Sequence, residues 1–398
     1  MKTETFQSKT GHVISRRGLL TGMAALAAAA KAVPAIADDD AAFAVAQAPP
    51  YVYVGCYTPA GRGISIYSVN AQTNVMTLSN IVGPITNPSW LAMDPSQKFL
   101  YAVNEVNAGL VMAFSITPTT GELTFLNQQT SGGANPAHMA VHPSGKFVIV
   151  ANYSGSTVEV IPILPDGSLA APTQLLRHIG DLGPNTGRQE APHPHMVLCD
   201  PGGKYVLVND LGMDATFVYS LDQNNGKLNP VSTTFSSPGS GPRHLAFHPN
   251  GKIVYSISEL NNAVSVFGWD ATAGKLTSVQ ADVSTLPPNF KGTSSCAEVA
   301  VAPSGKFLYA SNRSHNSLAT FAIDPINSRL SLLGWTATQG EGPRHFALDP
   351  SGKFLHIGHQ NTANIVSFNV DVNTGQLTPN GQYIATGSPV CILFGTQS

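Results

Sequence analysis

Apolar residues recur along the chain in short runs bounded by proline, glycine and polar turn residues, and one phrase returns in a fixed register. Its first copy reads Asn87-Pro88-Ser-Trp-Leu-Ala-Met-Asp-Pro95 and continues as Lys98-Phe-Leu-Tyr-Ala-Val-Asn-Glu105. Paired prolines seven positions apart recur at Pro136 and Pro143, Pro194 and Pro201, Pro242 and Pro249, and Pro343 and Pro350. A further copy, between the last two of these, keeps Pro303 but has Cys296 in the first position. The second prolines fall 48, 58, 48, 54 and 47 residues apart, a period that fits a four-stranded propeller blade rather than a helical solenoid.

Each copy predicts a short apolar strand A, an Asp-Pro-Ser-Gly-Lys type turn, and a strand B such as Phe307-Leu-Tyr-Ala-Ser-Asn312. A strand C such as Ala263-Val-Ser-Val-Phe267 and, after a Gly-Lys-Leu or Gly-Glu-Leu turn, a strand D such as Leu123-Thr-Phe-Leu126 complete the unit. Six copies are whole. The remnants Tyr51 to Cys56, Ile64 to Tyr67 and Met76 to Leu78 supply B, C and D of a seventh, and Ser388-Pro389-Val-Cys-Ile-Leu-Phe394 supplies its A. The expected fold is all-β, a seven-bladed β-propeller of four-stranded antiparallel blades over 51–398, closed by both chain ends so that no sheet edge is left unpaired.

Composition agrees: 37 glycines and 29 prolines in 398 residues suit many short strands, and a formal net charge of -2 gives no electrostatic reason to expect a nucleic-acid partner. Ser15-Arg16-Arg17-Gly18-Leu19-Leu20, an alanine-rich apolar stretch, and Ala35-Ile36-Ala37 form the pattern of a twin-arginine export signal over 1–37. A flexible mature N-terminus is expected over 38–50, and with it a periplasmic or secreted location and the twin-arginine export machinery as a partner. Lys31 interrupts the apolar run and argues against a lasting membrane span. Cys56, Cys199, Cys296 and Cys391 lack metal-motif spacing and read as apolar residues.

The start of strand A and the end of strand B share one mouth of the propeller, because the hairpin between them lies at the opposite rim. Around the ring, the two positions after the first proline read Ser89-Trp90, Ala137-His138, His195-Met196, Arg243-His244, Ala297-Glu298, Arg344-His345 and Val390-Cys391. The strand B ends place Glu105, Tyr153, Leu211, Glu259, Arg313, Gln360 and Tyr57 at the same mouth. Arginines there suit an anionic group or a polarised carbonyl, and Glu259 or His195 suits proton transfer. His138, His244, Glu298, Arg344, His345 and Gln360 are candidate substrate contacts. His142 and His248 belong to His-Pro turns and read as structural. The spacing supports neither a metal nor another cofactor.

Tyr53-Val-Gly-Cys-Tyr-Thr58, His193-Pro-His195, Gly241-Pro-Arg-His244, Ser258-Glu-Leu-Asn261, Ser311-Asn-Arg-Ser-His-Asn-Ser317 and Gly342-Pro-Arg-His-Phe346 together resemble the lactonase family of seven-bladed propellers. That family includes propeller-type 6-phosphogluconolactonase and the fungal carboxy-muconate lactonising enzyme, and the resemblance runs from Tyr51 to Phe394. It implies a catalytic set of His195, Arg243, Glu259 and Arg313, with Arg344 the rival for the last place because a long insertion precedes Arg313. It also implies a small lactone, anionic or polyhydroxylated, as substrate. An export signal favours a gluconolactone-like sugar or aldonolactone over a phosphorylated one. A 6-phosphogluconolactonase, a carboxy-muconate cycloisomerase and a non-enzymatic propeller binding protein or glycan stand as alternatives, and oligomeric state is not legible.

Overall fold

Each repeat folds as one antiparallel sheet. In the first complete blade strand A is Leu91–Met93, B is Phe99–Asn104, C is Leu110–Ile116 and D is Leu123–Thr130, hydrogen-bonded in that order. The computed structural model describes residues 51–70 and 72–395. The export signal expected over 1–37 and the flexible segment expected over 38–50 lie outside the described residues. Seven four-stranded sheets are present, and the A strands adjoin one another around the axis. Counting from Leu91, the seventh blade joins Pro389–Gly395 as A to Tyr51–Cys56 as B, Ile64–Val69 as C and Met76–Val82 as D. Tyr51 stands opposite Gly395 and Val54 opposite Ile392, the closure the end fragments predict.

The core is divided among the interfaces between blades. Tyr101, Val103 and Val111 of blade 1 meet Met139, Val148 and Val150 of blade 2, and equivalent apolar layers fill the other six junctions. A strand B packed on both faces has no reason to alternate, so Phe147–Asn152 is buried along its whole length. The C–D turn glycine fits this scheme. Gly121, at φ +68, sits on the Tyr51 ring of the preceding blade, where a Cβ would come within 2.5 Å, and its carbonyl accepts from the Tyr53 hydroxyl at 2.9 Å. The same hydroxyl-to-glycine bond recurs from Tyr101 to Gly167 and from Tyr309 to Gly375. His142 and His248 tie their turns to Gly203 and Gly305 of the next blade, as structural residues should. The four cysteines are free; Cys56, Cys296 and Cys391 are buried and Cys199 is half-buried.

One irregularity positions the functional mouth. On strand A of blades 2, 3, 4 and 6, the residue after the first proline is extra: Pro194 pairs with Asp210 and Met196 with Asn209, leaving His195 unpaired. Ala137, Arg243 and Arg344 stand out in the same way. Blade 5 bulges at Ala297 and Glu298, and blade 7 at Val390. Regular alternation would send adjacent side chains to opposite faces, whereas a bulge re-aims one of them. Here the extra residue turns to the mouth, and the next one packs inward around the axis.

Candidate functional site

At that mouth His195, Arg344 and Ala137 from the bulges and Glu105, Tyr153, Glu259 and Arg313 from the strand B ends line a cavity of about 340 Å3, with Arg188 and Ser295 on its rim. A larger cavity of about 520 Å3, lined by Thr58, Arg62, Ile81 and Ile85 among others, has neither carboxylate nor imidazole in its wall. The chemistry therefore belongs to the smaller one.

Glu259 organises the cationic side. Its Oε1 accepts from Arg188 Nη2 at 2.6 Å, and its Oε2 accepts from Arg243 Nε at 3.1 Å and forms an ion pair with Arg313 Nη2 at 2.9 Å, which itself donates to the Cys296 carbonyl at 2.8 Å. Burial by itself would raise this carboxyl, but Arg313, Arg243 and Arg188 outweigh it and hold Glu259 well below the usual carboxylate range. Arg243 is buried and also donates to the Ala297 carbonyl at 2.6 Å. Burial, then repulsion from Arg344 and Arg313, lowers it to about 9, which still leaves it charged at neutral pH.

His195 is buried, edge-on to Tyr153 at 5.5 Å and to His244 at 5.1 Å between ring centroids. Its Nδ1 has no hydrogen-bond partner among the described residues. Burial, and next the Arg243 charge, hold its pKa far below that of a free imidazole, so His195 is neutral.

His138, His244, Glu298 and His345, expected as substrate contacts, are buried and form the floor beneath the cavity. Glu298 Oε2 lies 3.0 Å from His244 Nδ1 and 3.5 Å from His345 Nε2. The backbone N–H of Ile392 donates to His345 Nδ1 and that of Val197 to His138 Nδ1, stitching each inner strand to the next. Trp90 meets His138 in the same layer, ring centroids 4.1 Å apart and planes tilted by 33°. Gln360 is not in the cavity wall; its carbonyl accepts from Ser388 Oγ at the junction of blades 6 and 7. Among the described residues no group of three or more His, Cys, Asp or Glu side chains could hold a metal ion.

Arg188 was not expected. It belongs to the insertion between strand D of blade 2, Gln174–Arg177, and strand A of blade 3, Pro194–Cys199. Buried contacts fix that insertion: His178 Nδ1 to Asp210 Oδ2 at 2.7 Å, and Gln189 Nε2 donating to Asp214 Oδ1 at 2.7 Å. The one available signal was the 58-residue interval, the longest in the series. Glu105, Tyr153 and Tyr57 were placed at this mouth by the repeat but not selected. His193 stacks on Tyr153 at 4.3 Å and holds its carbonyl through Nδ1.

A seven-bladed propeller with arginines, a buried carboxylate and a neutral imidazole gathered at one mouth defines a class of enzyme that acts on small molecules bearing a carbonyl or an anionic group. The family model described as "Lactonase, 7-bladed beta-propeller" matches residues 51–394, and the chain belongs to that family; it is a lactonase, a hydrolase of cyclic esters. It is 35% identical over 344 residues to a 6-phosphogluconolactonase of Bacillus subtilis, covering 86% of this chain and 97% of the relative. The solved structure of a periplasmic gluconolactonase from Pseudomonas aeruginosa superposes with a TM-score of 0.81 at 30% identity, covering 87% of this chain and 99% of that one. A 6-phosphogluconolactonase-like structure from Bacteroides fragilis gives a TM-score of 0.81 at 34% identity, covering 87% and 98%.

Proposed function

We propose that the protein opens a gluconolactone-like sugar or aldonolactone to its open-chain acid, outside the cytoplasm after twin-arginine export. The observation that carries this reading is the convergence of Arg188, Arg313 and Arg344 with the neutral His195 around one cavity. Water attacks the carbonyl carbon and gives up a proton. The carbonyl oxygen becomes an oxyanion countered by Arg313. The ring C–O bond then breaks, its oxygen takes a proton, and the new acid ionises. Of the two groups considered as proton acceptor, His195 fits better: both oxygens of Glu259 are held by arginines, whereas His195 is neutral and its ring nitrogens make no hydrogen bond among the described residues. Glu259 then sets the positions of Arg243, Arg313 and Arg188.

The leader pattern from Ser15 to Leu20 supports the unphosphorylated substrate, in keeping with the Pseudomonas aeruginosa relative; the Bacillus subtilis relative keeps 6-phosphogluconolactone as the second reading. Acid release from both lactones, corrected for spontaneous opening, decides between them, and His195→Ala is expected to lower kcat by about 100-fold or more. Release no faster than the spontaneous rate on either lactone overturns the hydrolase reading. Conversion of carboxy-muconate without net hydration selects the cycloisomerase instead. Mass spectrometry of the mature chain after cell fractionation tests export, and an uncleaved chain confined to the cytoplasm overturns it.

A further inference from the structure

Opposite the arginine cluster around Glu259, the cavity has a second polar wall built from three consecutive blades. Arg344, on the bulge of blade 6, donates from Nη2 to the Tyr57 hydroxyl at 3.0 Å and lies over its ring at 5.3 Å. Tyr57, just past strand B of blade 7, donates in turn to Glu105 Oε2 at 2.7 Å, just past strand B of blade 1. Asn87 locks the last two together. Its Oδ1 accepts from the Thr58 backbone N–H at 2.9 Å, its Nδ2 donates to the Glu105 carbonyl at 3.1 Å, and its own carbonyl accepts from the Glu105 N–H at 3.0 Å.

The chain of bonds runs one way and leaves its two ends unused. The Tyr57 hydroxyl donates its hydrogen bond to Glu105 and accepts one from Arg344. Among the described residues Glu105 Oε1 has no hydrogen-bond partner, and Nη2 to Tyr57 is the one hydrogen bond of the Arg344 guanidinium. Both residues line the cavity. An acceptor-only oxygen and a donor-only fork, held at fixed separation by a tyrosine, match two neighbouring hydroxyls: one donates to Glu105 and the other accepts from Arg344.

We infer that Glu105, Tyr57 and Arg344 form a diol-recognising wall that selects polyhydroxylated lactones and turns the substrate carbonyl toward Arg313 and His195. The inference names the substrate class of the lactonase site, and its kinetic half rests on the hydrolase reading above. A site built to hydrogen-bond hydroxyls discriminates strongly against an analogue without them, because its own polar groups are then left unpaired.

The test compares glucono-δ-lactone with δ-valerolactone, which has the ring and carbonyl but no hydroxyl. It also measures by calorimetry the binding of D-gluconate and of 5-hydroxypentanoate, which shares the carboxylate but has no vicinal diol. Glu105→Gln keeps an oxygen for Tyr57 and replaces the free acceptor with a donor. It is expected to lower kcat/KM for gluconolactone about ten-fold or more beyond its effect on δ-valerolactone, chiefly through KM, and to weaken gluconate binding about ten-fold more than that of 5-hydroxypentanoate. Tyr57→Phe, which keeps the ring, reproduces the change in selectivity. Equal losses of kcat on both lactones with unchanged gluconate affinity would make Glu105 a proton acceptor and overturn the inference, as would parallel changes in both binding constants. If the wild type opens neither lactone yet Glu105→Gln weakens gluconate selectively, the diol wall stands and the hydrolase reading falls.

Discussion

Arg188 meets Glu259 at 2.6 Å from an insertion that belongs to no blade, whereas Arg243 and Arg313 reach the same carboxylate from the propeller frame. The Arg188 side chain is 43% exposed, so its contribution to stability is small, as for most solvent-exposed pairs. Arg188→Ala is expected to reduce kcat/KM about 10-fold or more while shifting the unfolding temperature by no more than about 2 °C. Initial rates and thermal unfolding of the same preparation check this.

Removing Glu259 has the opposite balance. Glu259→Gln leaves the buried Arg243 without its counter-ion, a loss of about 3–5 kcal/mol for a broken buried pair. Urea unfolding should show that loss alongside lost activity. Adding Arg243→Met should restore part of the stability and none of the activity, because two apolar or neutral partners remove the uncompensated charge.

Acid sensitivity follows from the buried imidazoles. Burial holds His138, His195, His244 and His345 below the usual histidine range and lowers His356 and His359 to about 4. Below pH 6.5 the unfolded chain takes up protons that the folded one refuses, so this stability is complete above pH 6.5 and lost as pH falls. Burial raises the carboxyls of Glu159 and Glu298, a shift of opposite sign that offsets part of the effect. Urea titrations are expected to show stability rising with pH through the histidine range and flattening above about pH 7.5.

Glu159, on strand C of blade 2 (Thr157–Pro162), is buried with Oε2 unpartnered, and burial raises its carboxyl to about 7. A raised folded pKa means stability present at low pH and lost as pH rises through about 7. Glu159→Gln removes the charge that causes the loss. It is expected to stabilise the protein by about 1 kcal/mol at pH 8, allowing for solvent screening, and to change little at pH 5.

The blade register was legible because paired prolines and Gly-turns repeat at fixed offsets, and that register brought His195, Arg243, Glu259, Arg313 and Arg344 to one mouth. Depth was not legible. His138 and His345 sit one position beyond the cavity residues Ala137 and Arg344 on the same bulged strands, and only the bulge decides which faces the mouth and which the floor. Arg188 was out of reach for a different reason: its insertion has no counterpart in the other blades, so no register assigns it a place. The repeat placed Glu105, Tyr57 and Arg344 at the mouth, but side-chain geometry alone shows the hydrogen bonds that join them into a wall.

That closure also sets a clock. Tyr51 and Gly395, about 340 residues apart, pair in one sheet, so at a typical synthesis rate the N-terminal strand waits roughly 20–70 s for its partner to be made. Throughout that interval Tyr51–Cys56 presents a bare, apolar pairing edge to every neighbouring nascent chain. The time spent as an open crescent, rather than the strength of the finished ring, is therefore expected to govern how much soluble protein a cell recovers, and slower translation should lower the yield.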